Sequence, residues 1–240
     1  MSDVLLLHAG IADRRMWAPQ TAALEAAGHE VTAPDLPGFG ETPLEPGEVD
    51  YVGYAASFVR GAAVLVGCSF GGRIALELAV ARPELVEKLV LVGAGLGSWE
   101  WSDDAKTGFA EEEAALERGD LAEAAAAQAR MWLADDARAE VRSLTEEMTL
   151  RSYELQIPVE DEVKDRWPEP PAAERLEEIA VPTLVVVGSE DVLDILAIAD
   201  RLVAEIPGAR KALIEGAGHL PSLERPEALN RLLLDFLGAS

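Results

Sequence analysis

The stretch Gly67-Cys68-Ser69-Phe70-Gly71 joins a nucleophile to the backbone freedom needed to present it. An apolar run, Ala62 to Val66, precedes it, and a helix-forming stretch from Gly72 to Arg82 follows. A serine between strand and helix, with glycine two positions away on both sides, is the pattern of a nucleophile elbow. The sharp turn strains the serine backbone and lifts its hydroxyl out at the C-terminal edge of a sheet. That hydroxyl is a weak nucleophile at neutral pH, so it needs a histidine base and a carboxylate to orient the base. His219, in Glu215-Gly216-Ala217-Gly218-His219-Leu220-Pro221, follows the last predicted strand and so reaches the same edge as Ser69. His29 falls at a helix–strand turn on the opposite edge and is expected in solvent, while His8, directly after the first strand, suits the shaping of a loop. Glu190, Asp191 and Asp194 are the candidate carboxylates, all in the loop after the strand Thr183 to Val187. Asp194 also fits the first turn of the next helix, where the macrodipole favours an acid, and Glu190 also fits solvent. The order serine, acid, histidine is the one this arrangement expects. A developing oxyanion needs backbone N–H donors. Phe70, next to the nucleophile, should supply one, and Gly10 in the loop His8-Ala9-Gly10-Ile11 the other, since glycine permits close approach.

The elements that must hold these residues alternate. Short apolar strands are expected at Val4 to Leu7, Glu30 to Ala33, Lys88 to Val92, Thr183 to Val187 and Arg210 to Ile214. Helices are expected at Met16 to Ala27 (stopped by Gly28), near Tyr51 to Arg60, near Val192 to Glu205 and near Arg225 to Leu237. This alternation indicates parallel βαβ units in a doubly wound α/β sheet. Residues 1–98 and 173–240 form the core on this reading, and 99–172 form a helical insertion with no good strand. Asp120 to Ala129 and Ala137 to Leu150 have strong helix propensity there. The insertion is expected over the C-terminal edge of the sheet, where open α/β folds bind ligands. Glu111-Glu112-Glu113 reads as a solvated helix face. Trp99, Trp101, Trp132 and Trp167 cluster in or beside the insertion, with Trp132 and Trp167 expected to line an apolar acyl or ring pocket. Cys68 is one residue off the glycine register of the elbow and reads as packing.

Composition narrows the function. With 240 residues, 49% of them apolar, the chain can bury a large core. Its net charge of −24 repels phosphates and anionic lipid, which disfavours nucleic-acid and membrane partners. The lone Cys68 forbids an intrachain disulfide, and no apolar run approaches membrane-spanning length, so a cytoplasmic protein is the default expectation. Three scattered histidines lack metal-ligand spacing, and no phosphate-cradling glycine loop follows the first strand. No metal and no cofactor is therefore expected.

The chain resembles the α/β-hydrolase superfamily, especially its small esterase and enol-lactonase-like members. The resemblance rests on His8-Ala9-Gly10 with Met16-Trp17, Asp35-Leu36-Pro37-Gly38-Phe39-Gly40, the elbow, Gly188 to Asp191, and Gly218-His219-Leu220-Pro221-Ser222-Leu223-Glu224-Arg225-Pro226. It implies Ser69 as nucleophile, His219 as base, Asp191 as orienting acid, Phe70 and Gly10 as oxyanion donors, and the insertion as a substrate-binding cap. Family members usually carry His-Gly where this chain has His8-Ala9. They also carry two antiparallel strands before the first strand found here, which this chain lacks, and a longer segment between Gly40 and Val64. An uncovered sheet edge exposes unpaired backbone, so a monomer or homodimer is expected. The implied activity is hydrolysis of a small, fairly apolar carboxylic ester or lactone through an acyl-enzyme. Carbon–carbon bond hydrolysis, perhydrolysis on the same residues, and a low-turnover receptor are the alternatives.

Overall fold

A computed structural model describes residues 1–238. Six parallel strands form the central sheet: β1 (Asp3–Leu7), β2 (Glu30–Thr32), β4 (Ala63–Cys68), β5 (Val86–Val92), β7 (Thr183–Gly188) and β8 (Arg210–Ile214). Their order is β2-β1-β4-β5-β7-β8. The middle strands are apolar and buried along their length because helices cover the sheet. α1 (Ala18–Ala26) packs against α9 (Pro226–Gly238), and α2 (Tyr51–Ala56) against α3 (Phe70–Ala81). This is the doubly wound, mostly parallel architecture expected of the sequence.

The chain leaves β1 towards β2, then returns to β4 on the other side of β1. That reversal opens a crevice beyond the carboxyl ends of β1 and β4, the usual place for a ligand in such sheets. The loop carrying Gly10 and the elbow carrying Ser69 leave from those two ends.

Between β5 and β7 the chain builds α4 (Asp103–Glu117), α5 (Leu121–Trp132) and α6 (Ala139–Gln156), packed α4 on α5 and α5 on α6. Ser102 caps α4 by accepting from Ala105 N–H at 3.2 Å, and Asp120 caps α5 by accepting from Glu123 N–H at 3.1 Å. The α6 helix is tied to the sheet-edge loops: Thr149 Oγ1 donates to Ile11 O at 3.0 Å and Gln156 Nε2 to Gly38 O at 3.0 Å.

Three local expectations change. The segment expected to hold no strand contains β6 (Val163–Asp165), which pairs in parallel with β3 (Gly47–Val49). Three-residue strands of mixed polarity, Gly-Glu-Val and Val-Lys-Asp, show no alternation long enough to read; only their pairing defines them. The helix expected over Tyr51 to Arg60 ends at Ala56. His29, expected in solvent, is half-buried, and its Nδ1 accepts from Ser2 N–H at 3.3 Å. Among the described residues, no helix is long and apolar enough to cross a membrane.

Candidate active site

Ser69 sits between the end of β4 and the start of α3 with φ 50° and ψ −112°, a strained conformation for a residue with a side chain. Local bonds enforce it. Ser69 N–H donates to Val92 O at 3.0 Å, and Ser69 O accepts from Arg73 N–H and Gly95 N–H, each at 3.0 Å. The flanking glycines are steric requirements: a Cβ on Gly67 would lie 2.3 Å from Gly71 O, and one on Gly71 would lie 2.3 Å from Leu7 O. The spacing of the elbow is thus set by the closeness of β4, α3 and the end of β1.

His219 and Asp191, which follow β8 and β7, meet at the same edge. His219 Nδ1 lies 2.9 and 3.0 Å from the two Asp191 carboxylate oxygens, and both side chains are fully buried. The carboxylate can only accept, so Nδ1 carries the proton and Nε2 keeps its lone pair. Nε2 is buried and has no hydrogen-bond partner among the described residues, Ser69 Oγ included. Such bonds are commonly open in an unliganded site and close around substrate. The other two candidate acids go elsewhere. Glu190 is exposed, while Asp194 lies in the first turn of α7 (Leu193–Glu205). Asp194 accepts from Ser102 Oγ at 2.6 Å, Ser102 N–H at 2.9 Å and Trp99 Nε1 at 3.1 Å. Burial would raise its carboxyl, but these bonds outweigh it and hold the group below the usual range. It anchors the start of the insertion.

A carboxylate not singled out from sequence holds the histidine loop. Glu224, in α8 (Pro221–Glu224), accepts from Gly218 N–H at 3.0 Å, Leu220 N–H at 2.9 Å and Ala134 N–H at 2.9 Å. His219 N–H donates to Trp132 O at 2.7 Å, so the end of α5 and the histidine loop form one unit. His8 shapes a loop, as expected: Nδ1 donates to Ala9 O at 2.9 Å and Nε2 accepts from Leu36 N–H at 2.9 Å. Burial lowers its pKa, and only the neutral ring can make both bonds. Cys68 is buried, its Sγ 3.6 Å from His219 O. Burial, with Asp191 and Glu224 nearby, pushes the thiol well up, away from the thiolate a nucleophile requires.

A cavity of about 270 Å³ brings together Ser69, His219, Gly10 and Trp132, with Ile11, Glu112, Gln128, Thr149, Ser152, Tyr153 and Gln156. The Trp132 ring lies 4.3 Å from the His219 ring, centroid to centroid. The expected apolar lining is corrected here, since most of the wall supplied by α4, α5 and α6 is polar. Glu112 also departs from the solvated face expected for it: flanked by exposed Glu111 and Glu113, it turns inward and is half-buried. It accepts from Tyr153 OH and Gln128 Nε2, each at 2.5 Å. Burial raises the Glu112 carboxyl against the opposing effect of the Tyr153 bond, and burial followed by Glu112 raises the Tyr153 phenol. The α6 contributors fall at 149, 152, 153 and 156, the i, i+3, i+4, i+7 spacing of one helix face. That polar stripe was the sequence signal for this wall.

A larger hollow of about 660 Å³ adjoins through Gly10 and Gln156, walled by Phe39, Leu44, Tyr51, Phe70 and Val163 on one part and by exposed Glu160, Lys164 and Asp165 on another. Trp167 lines neither space. It stacks on Tyr51 at 5.9 Å and lies under the Arg73 guanidinium at 3.6 Å, supporting Phe70 from behind. Its place in the insertion gave no hint of this, because its partners Tyr51, Phe70 and Arg73 are distant in sequence.

Comparison with known proteins accords with this geometry. Residues 4–232 match the alpha/beta hydrolase family. The pimeloyl-(acyl-carrier protein) methyl ester esterase of Aromatoleum aromaticum is 29% identical over 98% of both chains. The 2-hydroxy-6-oxononadienedioate/2-hydroxy-6-oxononatrienedioate hydrolase of Cupriavidus pinatubonensis is 27% identical over 98% of this chain and 86% of its own. The crystal structure of an enol-lactonase from Burkholderia xenovorans shares the fold, with a TM-score of 0.76 at 22% identity over 98% of this chain and 91% of that one. With a match spanning nearly its whole length, the chain belongs to the alpha/beta hydrolase family, as a hydrolase.

Proposed function

We propose that this hydrolase cleaves a small carboxylic ester or lactone through an acyl-enzyme on Ser69, with residues 99–172 acting as a substrate-binding cap. The reading is carried by one observation: His219, locked by Asp191 through Nδ1, keeps a bare Nε2 in the cavity wall it shares with Ser69 and Gly10. His219 Nε2 takes the Ser69 proton as Oγ attacks the carbonyl carbon. The resulting oxyanion accepts from the N–H groups of Phe70 and Gly10, and Asp191 stabilises the imidazolium. Collapse breaks the bond to the alcohol oxygen, which receives the proton from Nε2. Water then gives a proton to Nε2 and attacks the acyl carbon; the bond to Oγ breaks, Oγ takes the proton back from Nε2, and the acid leaves with Ser69 restored. The part of the hollow walled by Phe39, Leu44, Tyr51 and Phe70 suits an apolar acyl group, with the charged Glu160, Lys164 and Asp165 elsewhere in its lining.

Release of p-nitrophenol from p-nitrophenyl acetate tests this. Ser69→Ala is expected to lose at least about 10³-fold in kcat, and a phosphonate ester is expected to add its mass to wild type and not to the variant. Undiminished turnover by purified Ser69→Ala would overturn the assignment. Hydrolysis of a 2-hydroxy-6-oxo-dienedioate, the compound in the Cupriavidus relative's name, is a second reading favoured by that relative's similarity. Assaying such a substrate beside the ester separates the two.

A further inference from the structure

Among the described residues that line the chamber over Ser69, Glu112 is the one carboxylate. Three of the chamber's hydroxyl protons are spent within the protein. Thr149 Oγ1 donates to Ile11 O at 3.0 Å, Ser152 Oγ to Thr149 O at 2.7 Å, and Tyr153 OH to Glu112 Oε1 at 2.5 Å. The Gln128 amide donates to Glu112 Oε2 at 2.5 Å and accepts from Trp132 Nε1 at 2.7 Å. Acceptor capacity is left on the hydroxyl lone pairs, the bare Nε2 of His219 and the Glu112 carboxylate, beside one N–H on each of the Gln128 and Gln156 amides. An ionised carboxylate offers about four acceptor sites, and the protein fills two of Glu112's.

We infer that this chamber selects substrates whose alcohol portion carries a hydrogen-bond donor, a hydroxyl or a protonated amine, which donates to Glu112. The inference rests on the ester-hydrolysis reading of Ser69. The alcohol side is assigned because the leaving oxygen must take its proton from His219, which lines the same chamber. A ligand carboxylate there would face the like charge of the Glu112 carboxylate. An apolar group would cover Glu112's remaining acceptor sites without pairing them, a penalty that sites built for hydrogen bonding turn into selectivity. The net charge of −24 acts in the same sense at long range, drawing in cations and repelling anions.

Three acetates of similar size separate the possibilities: 3-hydroxypropyl acetate, butyl acetate and 3-acetoxypropanoate. Each is added as a competitor in p-nitrophenyl acetate hydrolysis. The hydroxyl ester is expected to show a Ki at least about tenfold below that of butyl acetate, with the carboxylate ester weakest. Equal values, a reversed order, or no competition from the hydroxyl ester overturns the inference. In Glu112→Gln the ratio between carboxylate and hydroxyl esters should narrow by about tenfold or more. In Tyr153→Phe, which keeps the carboxylate, it should stay within about threefold. An unchanged ratio in folded Glu112→Gln counts against the inference, and the wild-type comparison stands without either variant. Turnover that persists in Ser69→Ala instead brings down the underlying reading, whereas Ser69-dependent turnover with equal Ki values brings down only the role of Glu112.

Discussion

Glu112 and its neighbours in sequence show how far a side chain's role depends on its rotation about the helix axis. Glu111 and Glu113 face solvent, while Glu112 between them enters the cavity. A run of three acids carries no signal for which one turns inward; the packing of α4 on α5 decides that. The three candidate acids after β7 behave likewise. Their residue types are equivalent, and only Asp191 meets His219, since Asp194 is drawn into α7 and bound to Ser102 and Trp99. His8 gives a prediction at this scale. It is fully buried as the neutral ring, with its pKa lowered by burial against the opposing pull of Asp35 and Asp13. Below the ordinary value of 6.5, the unfolded chain takes up a proton at this position and the folded chain does not. The stability is therefore complete above that value and is lost as pH falls towards the depressed folded pKa. Urea unfolding at about pH 7.5 and about pH 5.5 should show wild type losing more stability than His8→Gln, by up to about 1.4 kcal/mol per pH unit. Equal losses would remove His8 as the cause.

At the scale of elements, the elbow was legible because three constraints coincide in a few residues. An apolar strand enters, a helix leaves, and two glycines stand where no Cβ fits. Gly71→Ala would place its Cβ 2.3 Å from Leu7 O and 2.6 Å from His8 O. Backbone must shift to admit it, and we expect a loss on the order of 3 kcal/mol, roughly 6–12 °C in Tm. Gly61→Ala, where a Cβ would meet nothing within 4 Å, is the matched control and should stay within about 0.5 kcal/mol of wild type. Thermal unfolding of the pair checks this; equal melting temperatures would mean the elbow tolerates a side chain. The long strands and amphipathic helices were legible for a related reason, since burial on a sheet or a helix face imposes a period on the sequence. β3 and β6 were not, because each has three residues and each exists only by pairing with the other.

The whole molecule carries its charge of −24 on a compact surface. Salt acts on this in two opposing ways. It weakens exposed ion pairs such as Arg130–Glu123 and Arg201–Glu205, each worth at most about 1 kcal/mol. It also screens the excess of like charges, whose repulsion favours the expanded chain. With 44 acids against 20 basic side chains, the second effect should win. Tm is expected to rise by several degrees between about 10 mM and about 500 mM NaCl; a fall would show that the ion pairs dominate. From sequence alone came the α/β class, the serine at the elbow, and the placing of His219 and the Gly10 loop at the same sheet edge, because each is tied to a strand end and strand ends are written locally in apolar runs and glycines. The residue types after β7 left three acids open and only the family resemblance pointed to Asp191; its contact with His219, the grip of Glu224 on the histidine loop, and the polar chamber of Glu112 come from tertiary structure. They depend on which faces of α4, α5 and α6 meet over the sheet edge, and the contacts that fix those faces join residues as far apart as Ala134 and Glu224, or Ile11 and Thr149.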